Sequence, residues 1–137
     1  MTTIPVKVQD IPSSVGNLAA ILNEIAALLE RFARDGRTGS IDLRSLPFSP
    51  GEYEQLRQAL GEGEVSARLE TVGVSEIVET HFPGVWWVTH YNVEGDIIAD
   101  LLEIASIPPI LPSQPEDVQA GLGRLREMLA ADEETVQ

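Results

Sequence analysis

A chain of 137 residues is the length of one domain and can bury roughly two thirds of the surface its unfolded form exposes. Its 22 acidic against nine basic side chains give a net charge of −13, which repels phosphate backbones and anionic lipid, excludes nucleic acid and membrane surfaces, and leaves basic protein surfaces as partners. With no cysteine there is no disulfide, no thiolate zinc site and no all-cysteine iron–sulfur cluster, and a small disulfide-free domain points to the cytoplasm.

Residues 1–12 carry two prolines and little periodicity, and read as a poorly ordered tail or a lone edge strand. The apolar region that follows, residues 18–29, is no signal peptide, since the segment before it carries only Lys7 and no small-residue cleavage pattern comes after it. The longest apolar region, residues 18–29, is interrupted by Asn23 and Glu24 and is too short to span a bilayer. Ser13 or Ser14 can cap a helix in which Val15, Leu18, Leu22, Ile25, Leu29 and Phe32 recur at helical spacing, ending near Asp35 with Gly36 as left-handed cap. Ile21 and Leu28 widen that stripe. The helix is therefore either deeply packed or part of a homodimer contact through Ile21 or Leu28, with Leu22, Ile25 and Leu29 buried in both cases.

Ile41 and Leu43 alternate with Asp42 and Arg44, enough for a strand of three or four residues. In Ser49-Pro50-Gly51-Glu52 the serine can cap, the proline suits the first helical position and the glutamate completes a capping box, which predicts a helix over residues 50–60 stopped by Gly61. Tyr53, Leu56 and Leu60 mark its buried face. From Glu64 the period changes to two, with Val65, Ala67 and Leu69 alternating with Ser66, Arg68 and Glu70 in a half-buried strand. Gly73 marks a bend or bulge before a strand over residues 74–82; Pro83-Gly84 turns the chain into Val85-Trp86-Trp87-Val88, and residues 92–95 supply the next turn.

Residues 96–107 are ambiguous: Ile97, Ile98, Leu101, Leu102 and Ala105 fit a helical stripe, while Ile98, Leu102 and Ile104 fit a strand. Pro108, Pro109 and Pro112 force an extended connection. Ser113-Gln114-Pro115-Glu116 repeats the capping-box signature, and Val118, Leu122, Leu125 and Leu129 define a last helix fraying into a poorly ordered acidic tail, residues 132–137. The elements add up to a single α+β domain: a small antiparallel sheet of about four strands, a meander, packed with N-terminal, middle and C-terminal helices.

Three stretches carry a resemblance. GEGEVSA (residues 61–67), SEIVETHFPGVWWVTHYNVEG (75–95) and EIASIPPIL (103–111), extending weakly upstream to Leu46-Pro47-Phe48, resemble the core of the HupH/HyaF family of hydrogenase expression/formation proteins. The resemblance covers residues 46–111, about half the chain. It implies a strand over at least residues 101–107, which periodicity left open. It also implies an accessory protein of nickel–iron hydrogenase maturation: a non-enzymatic, chaperone-like factor that binds a hydrogenase subunit precursor or another maturation protein. It supplies no catalytic motif to map onto this chain.

Glu79, His81 and His90 are the one cluster suggesting metal or acid–base chemistry, and they define the alternative reading, a small metal carrier or enzyme. If Pro83-Gly84 closes a two-residue hairpin, His81 faces Trp86 and His90 faces Ile77. The histidines are then roughly 13 Å apart along the ladder, while a metal needs its ligands at about 2 Å. No metal and no cofactor are therefore expected. No serine lies in a nucleophile elbow, and Gly61-Glu62-Gly63-Glu64 lacks the lysine of a phosphate loop and reads as a helix end turning into a strand. Trp86 and Trp87 should point to opposite faces of their strand, one into the core; the other either packs under a helix or faces outward, flanked by Glu76 and Glu79, as the anchor for a basic protein partner.

Overall fold

The computed structural model describes residues 16–136, with side chains from Asn17 to Glu133. The predicted N-terminal tail and the caps at Ser13 or Ser14 lie outside those residues. Helix α1 (Gly16–Asp35) ends as the sequence predicts, the Gly36 N–H donating to Phe32 O at 2.8 Å. Its centre line is Ile21 and Ile25, each 5% exposed, with Leu18, Leu22, Leu28 and Leu29 packed half-buried on either side. Ile21 lies in the chain's own core and Leu28 packs half-buried against it. A stripe this wide is needed because α1 covers a five-stranded sheet.

After α1 come β1 (Gly39–Asp42) and a 3₁₀ turn over Leu43–Ser45, capped by Asp42 Oδ1 accepting the Arg44 N–H at 3.1 Å. Helix α2 (Glu52–Leu60) starts two residues later than Pro50, because Gly51 takes a left-handed φ of 87° and Pro50 is spent in the turn before it. Half of the capping box forms: Glu52, 1% exposed, reaches back with Oε1 to accept the Ser49 N–H. The GEGE segment then runs close against the end of β3. Gly63 N–H donates to Glu79 O, His81 N–H donates to Leu60 O, and a Cβ on Gly61 would lie 1.9 Å from His81 Cδ2 while one on Gly63 would lie 2.6 Å from Thr80 O. Close approach, not phosphate binding, explains those glycines.

Strands β2 (Ser66–Glu70), β3 (Val74–Glu79), β4 (Val85–Tyr91) and β5 (Ile97–Ile104) form the predicted meander, and β1 adds itself antiparallel to β5, giving the order β1-β5-β4-β3-β2. The sheet thus has five strands where about four were expected. The turn between β3 and β4 also differs from a two-residue hairpin: Glu79 pairs with Trp86 and Ser75 with His90. The cause is Thr80, whose hydroxyl accepts the Phe82 N–H at 3.1 Å and donates to Val85 O at 2.9 Å, so that residues 80–84 become the connection. The shift is by two residues, so every side chain keeps its face. β5 begins and ends earlier than residues 101–107, since the chain leaves the sheet after Ile104 to approach the prolines.

Both sheet faces are covered. On the first, α1 and α2 pack over Ile41, Val85, Trp87, Leu102 and Ile104. On the second, Ile77, Trp86 and Val88 form a smaller core with Ala67, Leu69 and Leu111, and the connection after β5 lies over it with Pro108 fully buried. Helix α3 (Pro115–Val136) follows, helical through most of the predicted acidic tail. Among the described residues no helix is long and apolar enough to cross a membrane.

Candidate protein-binding surface

Strand alternation divides the four predicted partner-binding residues. Trp87 and Glu76 lie on the helix-covered face; Trp86 and Glu79 lie on the other, since 76 and 79 are an odd number of positions apart in β3. The expected outward tryptophan is absent: Trp86 is 5% exposed and Trp87 4%, because the second face is roofed by residues 106–111. Each indole N–H is satisfied within the chain, Trp86 Nε1 donating to Ala105 O at 3.0 Å and Trp87 Nε1 to Asp100 Oδ1 at 2.8 Å. The two carboxylates are half-buried. Glu76 accepts from Tyr91 Oη at 3.3 Å and lies 3.6 Å from the Arg68 guanidinium, lining with both an open cleft of about 270 Å³. Glu79 closes the end of β3 beside Gly63.

The alternative cluster does not assemble. His81 sits exposed in the β3–β4 connection against Gly61, while His90 is in β4 with Nδ1 2.7 Å from Ser75 Oγ. Glu79 is four residues from Ser75 along β3, roughly 13 Å at strand rise. Among the described residues no group of three or more His, Cys, Asp or Glu is arranged to hold a metal ion.

Sequence reasoning missed a buried acid that collects three side-chain donors, Asp100. It is 3% exposed in the middle of β5 and accepts from Trp87 Nε1 and from Thr89 Oγ1 at 2.9 Å on one oxygen, and from Tyr53 Oη on the other. Tyr53 stands edge-on to Trp87 with centroids 5.4 Å apart, and the Arg57 guanidinium lies 4.7 Å from the centre of the same indole. Burial first, then the hydrogen bond and charge of Asp100, push the Tyr53 hydroxyl up to about 12. An acid inside the run Ile97–Ile104 was the available signal, because a carboxylate on the covered face of a strand must collect donors. The network locks α2 onto the sheet and fixes the Trp87 ring.

Glu103 is the less contented acid. It lines a cleft of about 220 Å³ with Ser40 and Pro109 beside the β1 edge, and its Oε1 is buried without a hydrogen-bond partner. Burial raises its carboxyl above the ordinary 4.5, with the charge of His90 pulling it back. A carboxyl raised on folding holds its proton where the unfolded chain has lost it. Its contribution is greatest below about pH 4.5 and fades as pH rises through the folded value. Glu103→Gln should therefore stabilise the protein at pH 7, by less than about 1 kcal/mol because the half-exposed site is screened by solvent, and should flatten stability against pH in that window. Urea titrations at pH 4 and pH 7 check this; a variant less stable at pH 7 than the parent contradicts it.

An acidic α+β module with its indoles and interior acids engaged in its own packing has known relatives. Residues 15–131 match the C-terminal conserved region of the HupH hydrogenase expression protein family, and the chain belongs to that family. It is 32% identical over 124 residues to the hydrogenase expression/formation protein HoxQ of Azotobacter vinelandii, covering 89% of this chain and 44% of that protein. It is 34% identical over 121 residues to HupH of Rhizobium leguminosarum bv. viciae, covering 88% of this chain and 43% of that one. The chain thus spans less than half the length of these curated relatives. The solved structure of the hydrogenase expression protein HupH from Thiobacillus denitrificans ATCC 25259 superposes with a TM-score of 0.81 at 40% identity, over 85% of this chain and 97% of the other.

Proposed function

We propose that this chain acts in hydrogenase maturation as a non-catalytic, chaperone-like binding factor for a hydrogenase subunit precursor or another maturation protein. The observation that carries the reading is the family match over residues 15–131, reinforced by the shared fold of the Thiobacillus denitrificans protein. Two physical features agree with it. The buried acid Asp100 has all three of its donors from the chain's own side chains, so it is committed to holding the sheet. The net charge of −13 favours a basic protein surface and would hasten its encounter.

In this reading Trp86 and Trp87 serve from beneath, stiffening the sheet, while Glu76, in the open cleft it shares with Arg68 and Tyr91, orients the partner and Glu79 lies on the opposite face. Such carboxylates contribute orientation and on-rate more than affinity, so binding should weaken as salt rises past a Debye length of about 10 Å at 0.1 M. The test is co-expression of the tagged chain with an uptake-hydrogenase operon. A defined, unprocessed hydrogenase subunit or a named maturation protein should co-purify, and hydrogenase activity should fall when the gene is deleted. If neither occurs, the reading is wrong.

A further inference from the structure

We propose that the apolar stripe of α3 is a docking seam for a partner helix, an amphipathic segment of another protein with apolar side chains at helical spacing and basic side chains at the end that meets the α3 C-terminus. The inference deepens the protein-binding reading above and rests on it. Val118, Leu122, Leu125 and Leu129 follow one another at steps of four, three and four, the spacing that presents a single seam to one facing helix. They are 54%, 39%, 54% and 58% exposed, and Met128 beside them is 68% exposed. Along the whole described length of α3 only Gly121 is even half-buried. The chain's own sheet cannot take the stripe, because α1 and α2 already cover one face and residues 106–111 the core of the other. A helix of 22 residues carrying Gly121 and Gly123 is a marginal helix by itself, and packing along its seam is what stabilises such a segment.

The charges choose the occupant. Asp132 continues the seam three residues beyond Leu129, Glu133 borders it, and both are exposed at the end of the helix that already carries the negative pole of the backbone dipole. A second copy of this chain is disfavoured in either orientation. Parallel pairing sets Asp132 against Asp132, and antiparallel pairing about Leu125 sets Glu133 beside Asp117 and Asp132 against Val118. The net charge of −13 opposes a second copy and an anionic membrane alike. Arg124 and Arg126 sit mid-helix, and no basic residue falls in the last turn. A facing helix with lysines or arginines at that end satisfies both the apolar seam and the acidic terminus.

The experiment uses the full chain and two labelled synthetic peptides of about five helical turns, identical in their leucine seam and differing only in bearing lysines or glutamates at one end. Fluorescence anisotropy at low salt should show the lysine peptide binding at least ten-fold tighter. Leu122→Glu with Leu125→Glu should abolish binding while leaving the melting curve unchanged, since both side chains are exposed. Asp132→Lys with Glu133→Lys, which leaves the seam intact, should reverse the peptide preference, and it decides the matter alone if the leucine variant fails to fold. Equal binding of the two peptides, or no reversal, overturns the proposal; so does concentration-dependent self-association in the ultracentrifuge that the leucine variant loses, since the occupant is then a second copy. A leucine variant that still co-purifies the hydrogenase subunit sinks the seam and leaves the proposed function standing, whereas failure of the unsubstituted chain to co-purify it sinks the function itself.

Discussion

Asp100→Ala should destabilise the protein by about 3–5 kcal/mol, because three donors lose their acceptor at once and a buried unpaired polar group costs about 1–3 kcal/mol. The three are Trp87 Nε1, Thr89 Oγ1 and Tyr53 Oη, the first two on buried residues and the third on a half-buried one. The substitution should also lower the Tyr53 hydroxyl part of the way from about 12 toward 10, removing the contribution of Asp100 while burial, the larger cause, stays. Urea unfolding measures the first effect as a lower midpoint, and ultraviolet titration of the tyrosines measures the second. An unchanged midpoint would show that the network is ornamental to stability. A raised Tyr53 that ignores the loss of Asp100 would show that burial alone sets it.

Trp86→Ala and Trp87→Ala should each cost about 3–5 kcal/mol, the range for deleting a fully packed aromatic side chain. The equality is the informative part, since a platform with one inward and one outward indole would lose stability at only one of them. Trp87→Ala removes the partner of Asp100, the edge contact of Tyr53 and the seat of Arg57; Trp86→Ala hollows the smaller core of Ile77 and Val88 under Leu111. Trp86→Phe should cost much less, of the order of one hydrogen bond at about 0.5–1.5 kcal/mol plus a partial cavity, because only the contact to Ala105 O disappears. Thermal or urea unfolding of the three variants decides it; a Trp86→Ala variant as stable as the parent would give the residue the outward role expected of one of the two tryptophans.

The chain's local signals were legible. The periodicity of α1, the glycine that ends it, the half capping box of α2, the alternation in β2 and the turn signals around β4 all state what the backbone does within a few residues. Three features lay beyond reach, each for a physical reason. The pairing of β1 with β5 joins four residues, Gly39–Asp42, to a partner about 60 positions away; local alternation suggests a short strand there but carries nothing about which strand it joins. The β3–β4 register turned on whether the Thr80 hydroxyl would capture the Phe82 N–H, a competition between one side chain and a tight turn. The burial of Trp86 depends on a proline-rich connection roughly 20 residues downstream; alternation shows that a strand has two faces but not what lies on them. The split of Glu76 from Glu79, by contrast, follows from their spacing once the strand is granted, and Asp100, an acid inside an apolar run, was a signal present in the sequence but passed over.

The strand order also dictates a sequence of events in time. From β2 to β5 every neighbour in the sheet is a neighbour along the chain, and Glu79 meets Trp86 over a handful of residues, whereas Ile41 must find Leu102 across about 60. Closing the longer span costs about 2 kcal/mol more in chain entropy than closing the hairpin, a cost met before any of its contacts reward it. Refolding should therefore begin in the meander, with β1 and the helices flanking it joining after the rate-limiting step. Stopped-flow kinetics would register this as an asymmetry: Val88→Ala chiefly slows refolding, while Ile41→Ala leaves refolding nearly untouched and speeds unfolding. Elements made on the ribosome before the meander would then settle after it, waiting on strands not yet synthesised.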